Sequence, residues 1–183
     1  MSNTRKSPWS VQMLAVGAVS IALSSVLSVI TLFSMPNGGS VTPASMLPLM
    51  LFAFVYGPVP GVAVGAVYGI LQFLLGGWFL SIPQFLLDYP VAFAMTGLAG
   101  LFWRGRHQRT ALTLGILLAS VMRFIVATLA GVIFWSDLTN GAWAAIVYSV
   151  GYNASYMVWE CVICVALGVA VGPRLVKELR KVK

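Results

Sequence analysis

The sequence predicts an all-α, polytopic membrane protein with six transmembrane helices, N-in and C-in, and three observations carry that prediction. Hydrophobic side chains make up 60% of the 183 residues and charged ones only 8%, where a soluble domain carries about a quarter. The apolar residues fall into six runs of helical length. Ten of the eleven Lys and Arg residues gather at three places outside those runs. Eleven basic and four acidic residues are too few to coat a globule in water, which excludes a soluble enzyme. The same apolar content excludes a disordered chain. Spans of about 20 residues leave no room for a separate nucleotide-hydrolysing domain, so residues 1–183 form one integral membrane domain.

The first run, 9–34, is too long for a removed signal peptide and lacks a small-residue cleavage site. It carries Ala18 and Ala22, with Ala15 and Gly17 nearby, as a short face of small residues. The second, 43–56, is short enough to be tilted or partly re-entrant. In the third, 59–76, Gly57, Gly61, Gly65 and Gly69 recur every fourth residue, the last three within the run. That period gathers the glycines on one helix face, where another backbone can approach closely; tight packing within the chain is favoured over an oligomer contact. The remaining runs, 83–103, 110–135 and 143–172, each contain one ionisable residue within the apolar stretch: Asp88, Arg123 and Glu160.

Charge placement gives the topology. Arg5 and Lys6 precede the first run, Arg104, Arg106 and Arg109 share one linker, and Arg174, Lys177, Arg180, Lys181 and Lys183 form the tail. With both termini inside, all three clusters are cytoplasmic and the 35–42, 77–82 and 136–142 loops are external, as the positive-inside rule requires. Basic residues so distributed build no exposed face among aromatics, so the net charge of +7 does not indicate nucleic acid.

Several familiar chemistries are absent from the pattern. Cys161 and Cys164 have the spacing of a metal or redox pair but lie in an apolar helix without a second ligand pair, and structural zinc needs four ligands. They read as small hydrophobes. The single histidine, His107, lies in the basic linker, and Gly38-Gly39-Ser40 is not followed by the Lys-Ser or Lys-Thr of a phosphate-binding loop. No metal or cofactor is called for.

An ionisable group inside a span costs several kcal/mol unless paired or hydrated, so each is a functional candidate. Arg123 lies about 18 Å below the outer end of its helix, and Glu160 at a similar depth. They can form a structural bridge or face a ligand, and both readings stay open. Asp88, with Gln84 one turn before it and Tyr89 beside it, lies near the outer ends of the spans. Trp78, Trp135, Tyr148, Tyr152, Asn153 and Tyr156 can converge at that depth. An interfacial aromatic belt accounts for single rings, but not for a carboxylate and an amide. Such groups together suit a flat, nitrogen-rich, cationic solute held by stacking and charge-assisted hydrogen bonds.

These residues carry a family resemblance. Ser34-Met-Pro-Asn-Gly-Gly-Ser-Val41, Ser45-Met-Leu-Pro48, the glycine-spaced third run ending Leu71-Gln72, Leu87-Asp88-Tyr89 with Ala92-Phe93, Gly97-Leu-Ala-Gly100, Ala130-Gly131-Val-Ile-Phe-Trp135, and Tyr148 with Tyr152-Asn-Ala-Ser-Tyr-Met157 follow one another in order over nearly the whole chain. In that order and spacing the sequence resembles the thiamine-specific substrate-binding subunits of energy-coupling factor (ECF) transporters. The resemblance implies a membrane subunit that captures thiamine from outside and works with a transmembrane coupling protein and two cytosolic ATPases. It implies that Asp88 and Tyr89 receive the aminopyrimidine, that Trp135 stacks on the ligand near Gly131, and that Tyr148 and Asn153 complete the polar contacts, with Trp78 from the second outer loop. It implies that Ala18 and Ala22 dock on the coupling protein. Two departures stand out: Ala127 replaces a histidine common in the family, and Asp88 is one methylene shorter than the glutamate of some members. A thiamine precursor such as hydroxymethylpyrimidine is therefore an alternative ligand. An ion-coupled secondary transporter using Asp88, Arg123 and Glu160 is the rival class, although the chain shows no internal inverted repeat.

Overall fold

A computed structural model describes residues 9–35, 39–102, 108–136, 139 and 141–182. Arg5, Lys6, Gly38, Arg104, Arg106, His107 and Lys183, together with parts of the 35–42 and 136–142 loops, lie outside the described residues. The elements are α1 (Val11–Val29), the strands β1 (Phe33–Ser34) and β2 (Ser40–Val41), α2 (Leu47–Tyr56), α3 (Pro58–Leu74), α4 (Ile82–Phe102), α5 (Gln108–Trp135) and α6 (Ala142–Val182). Among them α1, α4, α5 and α6 are long and apolar enough to cross a membrane, while α2 and α3 are shorter apolar helices.

The Ser10 hydroxyl accepts a hydrogen bond from the Met13 N–H at 3.1 Å and so caps α1. The helix stops at Val29, short of residue 34, because Phe33 pairs with Val41 and Ser34 with Ser40 in an antiparallel ribbon. This two-residue ribbon is a local departure in a chain that is otherwise helical. Its cause is local: a Pro-Asn-Gly-Gly stretch lies between the strands, and those residue types favour turns over helix. Residues 42–46 also stay outside the helix expected from residue 43. Ala44 adopts a left-handed φ of 61°, and the Ser45 N–H donates to Thr42 Oγ1 at 3.3 Å.

Ten residues of α2 rise only about 15 Å, yet this is the most deeply buried helix. Leu49, Met50, Phe52, Ala53 and Phe54 expose no surface. The other five helices pack around it, so an element too short to span a bilayer on its own is enclosed by protein. Around this centre the outward faces of α1, α5 and α6 carry exposed Leu14, Leu23, Val121, Leu129, Val158 and Trp159, as expected of helices solvated by lipid.

The glycine face of α3 packs against α4 and, at its start, α2, with Gly61 facing Ala53 of α2 and Gly97 of α4, Gly65 the Phe93 carbonyl, and Gly69 the Tyr89 carbonyl. A Cβ on Gly97 would overlap the backbones of Gly61 and Val62. Because backbone rather than a flexible side chain is in the way, Gly97→Ala is expected to destabilise by about 1–3 kcal/mol. The check is a thermal unfolding midpoint in detergent, and an unchanged midpoint would count against this helix contact.

Two helices leave α geometry where they approach each other. In α4, Leu87–Val91 forms a π-turn that contains Pro90, which has no N–H to donate and clashes with a regular preceding turn. In α5, Gly131–Trp135 forms a second π-turn. Finally, α6 does not stop at residue 172. It continues through Pro173 to Val182, because Val176 is fully buried and Leu179 packs against the core, holding the last turns in place.

Candidate functional site

A cavity of about 310 Å³ is enclosed by α3, α4, α5, α6 and the residues after β1. This lies at the lower end of the range for small-molecule sites. Asp88 is delivered to it by the π-turn of α4 and Trp135 by that of α5. Trp135 Nε1 donates to Asp88 Oδ2 at 2.9 Å, and Gln84 Nε2 donates to the same oxygen at 2.6 Å. No donor among the described residues reaches Oδ1, which leaves one carboxylate oxygen for a ligand.

Tyr89 joins the wall beside Asp88, its hydroxyl accepting from the Trp78 N–H at 2.7 Å. Trp78 is largely exposed and meets Trp135 edge-on at 6.5 Å. The opposite wall is a ladder on α6: Tyr148 and Tyr152 stack at 6.2 Å, and Tyr152 meets Tyr156 edge-on at 5.9 Å. The Tyr152 hydroxyl accepts from the Gly39 N–H at 3.1 Å, tying the hairpin to this wall. A Cβ on Gly39 would run into the Tyr156 ring.

Asn153 is buried and oriented by its neighbours. Its Nδ2 donates to the Ser149 carbonyl at 3.0 Å and its Oδ1 accepts from the Tyr156 hydroxyl at 2.8 Å. Ser149 donates to the Thr128 carbonyl of α5 at 2.8 Å, and its hydroxyl occupies the space a side chain on Gly131 would need. Gly131 is thus the residue that lets α6 approach the π-turn bearing Trp135. Ala127 also lines the cavity and, like Tyr152 and Phe124, packs against the cluster of Val41, Tyr156 and Met157.

At its other end the cavity holds the remaining two ionisable groups. Arg123 Nη1 lies 3.8 Å from Glu160 Oε2, and its guanidinium sits 4.5 Å above the Phe93 ring. Glu160 Oε1 accepts from Thr42 at 2.8 Å and from Ser45 at 3.0 Å. The two alternatives for this pair are therefore not exclusive: it is a bridge, and both members line the cavity. Neither Nε nor Nη1 of Arg123 donates a hydrogen bond among the described residues.

Of the residues singled out in the sequence, Asp88, Tyr89, Trp78, Trp135, Gly131, Tyr148, Asn153 and Arg123 line one cavity. Gln84 does not: it is fully buried behind Asp88 and is not part of the cavity lining. Ala18 and Ala22 lie well apart, exposed on α1. Three further polar residues line the cavity without having been assigned a role from the sequence: Thr42 and Ser45, which hold Glu160, and Gln72, whose Nε2 donates to Ser28 Oγ at 3.0 Å. Their signal was present, since hydroxyls and an amide inside apolar stretches need partners. Among the described residues no cluster of His, Cys, Asp or Glu could hold a metal.

Apolar helices closed around a polar, aromatic-walled cavity define a multi-pass membrane protein built to hold a small solute. The chain belongs to the thiamine transporter protein family Thia_YuaJ, whose model matches residues 14–178. It is 33% identical over 177 residues to the thiamine transporter ThiT of Bacillus subtilis, covering 88% of this chain and 92% of that one. It is 31% identical over 147 residues to ThiT of Lacticaseibacillus paracasei, covering 71% and 73%. In fold it is similar to a solved ThiT from Listeria monocytogenes, with a TM-score of 0.70, 23% identity and 90% and 96% coverage. A solved S component of a bacterial ECF transporter gives a TM-score of 0.63 at 20% identity, covering 92% of this chain and 98% of that one. These relatives are named as transporters or transporter components, and the chain is a cell-membrane protein of that class rather than an enzyme.

Proposed function

We propose that this chain is the substrate-binding subunit of an ECF-type importer and captures thiamine from outside the cell. The observation that carries the proposal is Asp88, whose Oδ2 is held by Gln84 and Trp135 while Oδ1 is left open between aromatic walls. A carboxylate so placed accepts hydrogen bonds from an aminopyrimidine. Trp135 and the Tyr148–Tyr152 ladder stack on the ligand rings, with Tyr89, Trp78, Gly131 and Asn153 completing the site. The hairpin and the α3–α4 loop exclude water once it is filled, and Arg123 and Glu160 form the far wall.

In this reading the chain is one membrane domain that crosses the bilayer six times, with both termini inside and the open end of the cavity outside. Transport energy in this reading comes from two cytosolic ATPases through a transmembrane coupling protein. Ala18 and Ala22, small and exposed on α1, suit close approach of a helix of that protein.

Two measurements on the purified protein test this. Thiamine is expected to quench tryptophan fluorescence saturably, and vesicles containing this chain alone are expected to take up none until coupling protein, ATPases and ATP are supplied. Saturable binding of hydroxymethylpyrimidine but not thiamine would replace the ligand. Uptake by the chain alone, driven by an ion gradient, would replace the transport class.

A further inference from the structure

Gln84 exposes no surface, and both donor hydrogens and the carbonyl oxygen of its side chain are engaged by the site's scaffold. Its Oε1 accepts from the Leu80 N–H at 3.0 Å. Its Nε2 donates to the Trp78 carbonyl at 3.3 Å and to Asp88 Oδ2 at 2.6 Å. The amide orientation is fixed by these partners: rotating it would set its oxygen against a carbonyl and a carboxylate, and its NH2 against an N–H. The segment from Trp78 to Leu80 is therefore bonded to the carboxylate through a single side chain. A second connection closes the circuit, since the Trp78 N–H donates to the Tyr89 hydroxyl and Trp135 donates to the same Asp88 oxygen.

We infer that Gln84 is a positioning residue that locks Asp88 Oδ2 and the 78–80 loop together, so that Oδ1 alone is presented to the ligand. The inference rests on the thiamine-binding reading above, and it assigns Gln84 a role through Asp88 rather than contact with the ligand. A purely structural glutamine would stabilise the fold without setting the charge or aim of the carboxylate. The two roles separate on replacing the amide by an acid.

In Gln84→Glu the new carboxyl meets Asp88 at hydrogen-bond distance, where two carboxylates cannot both ionise at low cost. With one proton between them, the introduced acid donates to Asp88 Oδ2 as the amide did. When that proton is lost at higher pH, the pair repels and the aim of Asp88 is lost. Facing the cavity from the other elements are Arg123 on α5, Glu160 on α6, and tyrosines on α3, α4 and α6, of which Tyr89 and Tyr156 lie within electrostatic reach of Asp88. All are present in the unaltered protein too, so their titration cancels in the comparison.

The test is thiamine affinity by fluorescence at about pH 5.5 and about pH 8.5 for the unaltered chain, Gln84→Glu and Gln84→Leu. The unaltered chain is expected to hold one affinity. Gln84→Glu is expected to bind within about threefold of it at the lower pH and at least about tenfold more weakly at the higher. Gln84→Leu is expected to bind about tenfold more weakly at both. Equal pH profiles for Gln84→Glu and the unaltered chain would overturn the inference. So would variants that lower only the unfolding temperature while keeping the original affinity. If the unaltered chain binds no thiamine, the functional reading falls. The emission of ligand-free Gln84→Glu, taken with and without Trp135→Phe, then decides the inference alone: a Trp135-dependent change with pH upholds it, and none overturns it.

Discussion

Asp88→Ala is expected to weaken thiamine binding by about a hundredfold, or about 2.7 kcal/mol, while leaving the protein folded. Asp88 lies at the cavity wall with partial solvent access, and its removal frees two donors, Gln84 Nε2 and Trp135 Nε1. The first keeps the Trp78 carbonyl as a partner. The loss therefore falls on the ligand, which forfeits a charge-assisted hydrogen bond of the kind that contributes about 1.5–3 kcal/mol, together with the local negative charge that favours a cation. Asp88→Asn keeps the shape and removes the charge, so it should fall between the two. Titrating tryptophan quenching across the three proteins checks the order. Equal affinities would show that Asp88 is not the ligand's acceptor.

A larger effect on stability is expected at the other end of the cavity. Glu160→Met leaves Arg123 without its only acidic neighbour among the described residues, and both side chains are largely buried. Breaking such a pair from one side costs about 3–5 kcal/mol, because a charge remains in a poorly solvating place. The Thr42 and Ser45 hydroxyls, which donate to Glu160 Oε1, lose their common acceptor as well. Replacing Arg123 by Met in the same chain should recover much of the loss, since an apolar pair of similar volume carries no desolvation penalty. Unfolding midpoints of the two single variants and the double variant decide it. Additive losses would mean that the two charges do not stabilise each other.

How far the molecule is legible in its sequence depends on the range of the interaction. The bounds of α3, α4 and α5 follow within two residues from apolar runs bounded by Gly, Pro and charge, because helix formation in lipid is dictated by local composition. The glycine period of α3 was equally plain, since close packing leaves a fixed spacing. Asp88 and Arg123 stood out because the surrounding stretch is apolar. The β1–β2 ribbon and the continuation of α6 were not visible in the same way. The first competes with a helix over two residue pairs only, and the second is held past Pro173 by Val176 and Leu179 packing on the core. Gln84 stands out in the sequence by its place one turn from Asp88. That it faces the loop and not the cavity depends on its bonds to Trp78 and Leu80, which lie in a loop that has no periodicity to read.

Those two π-turns have a genetic consequence. A π-turn contains one residue more than the α-helical turn it replaces, and each residue advances a helix by about 100°. Deleting a single codon within 89–91 would let α4 relax to regular geometry with almost no change in composition, yet it would turn Asp88, Gln84 and the 78–80 loop together by about a quarter turn relative to the rest of α4 and the cavity it lines. The same holds for 131–135 and Trp135. Loss or retuning of the pocket thus lies one in-frame deletion away, a step that no scan of point substitutions samples.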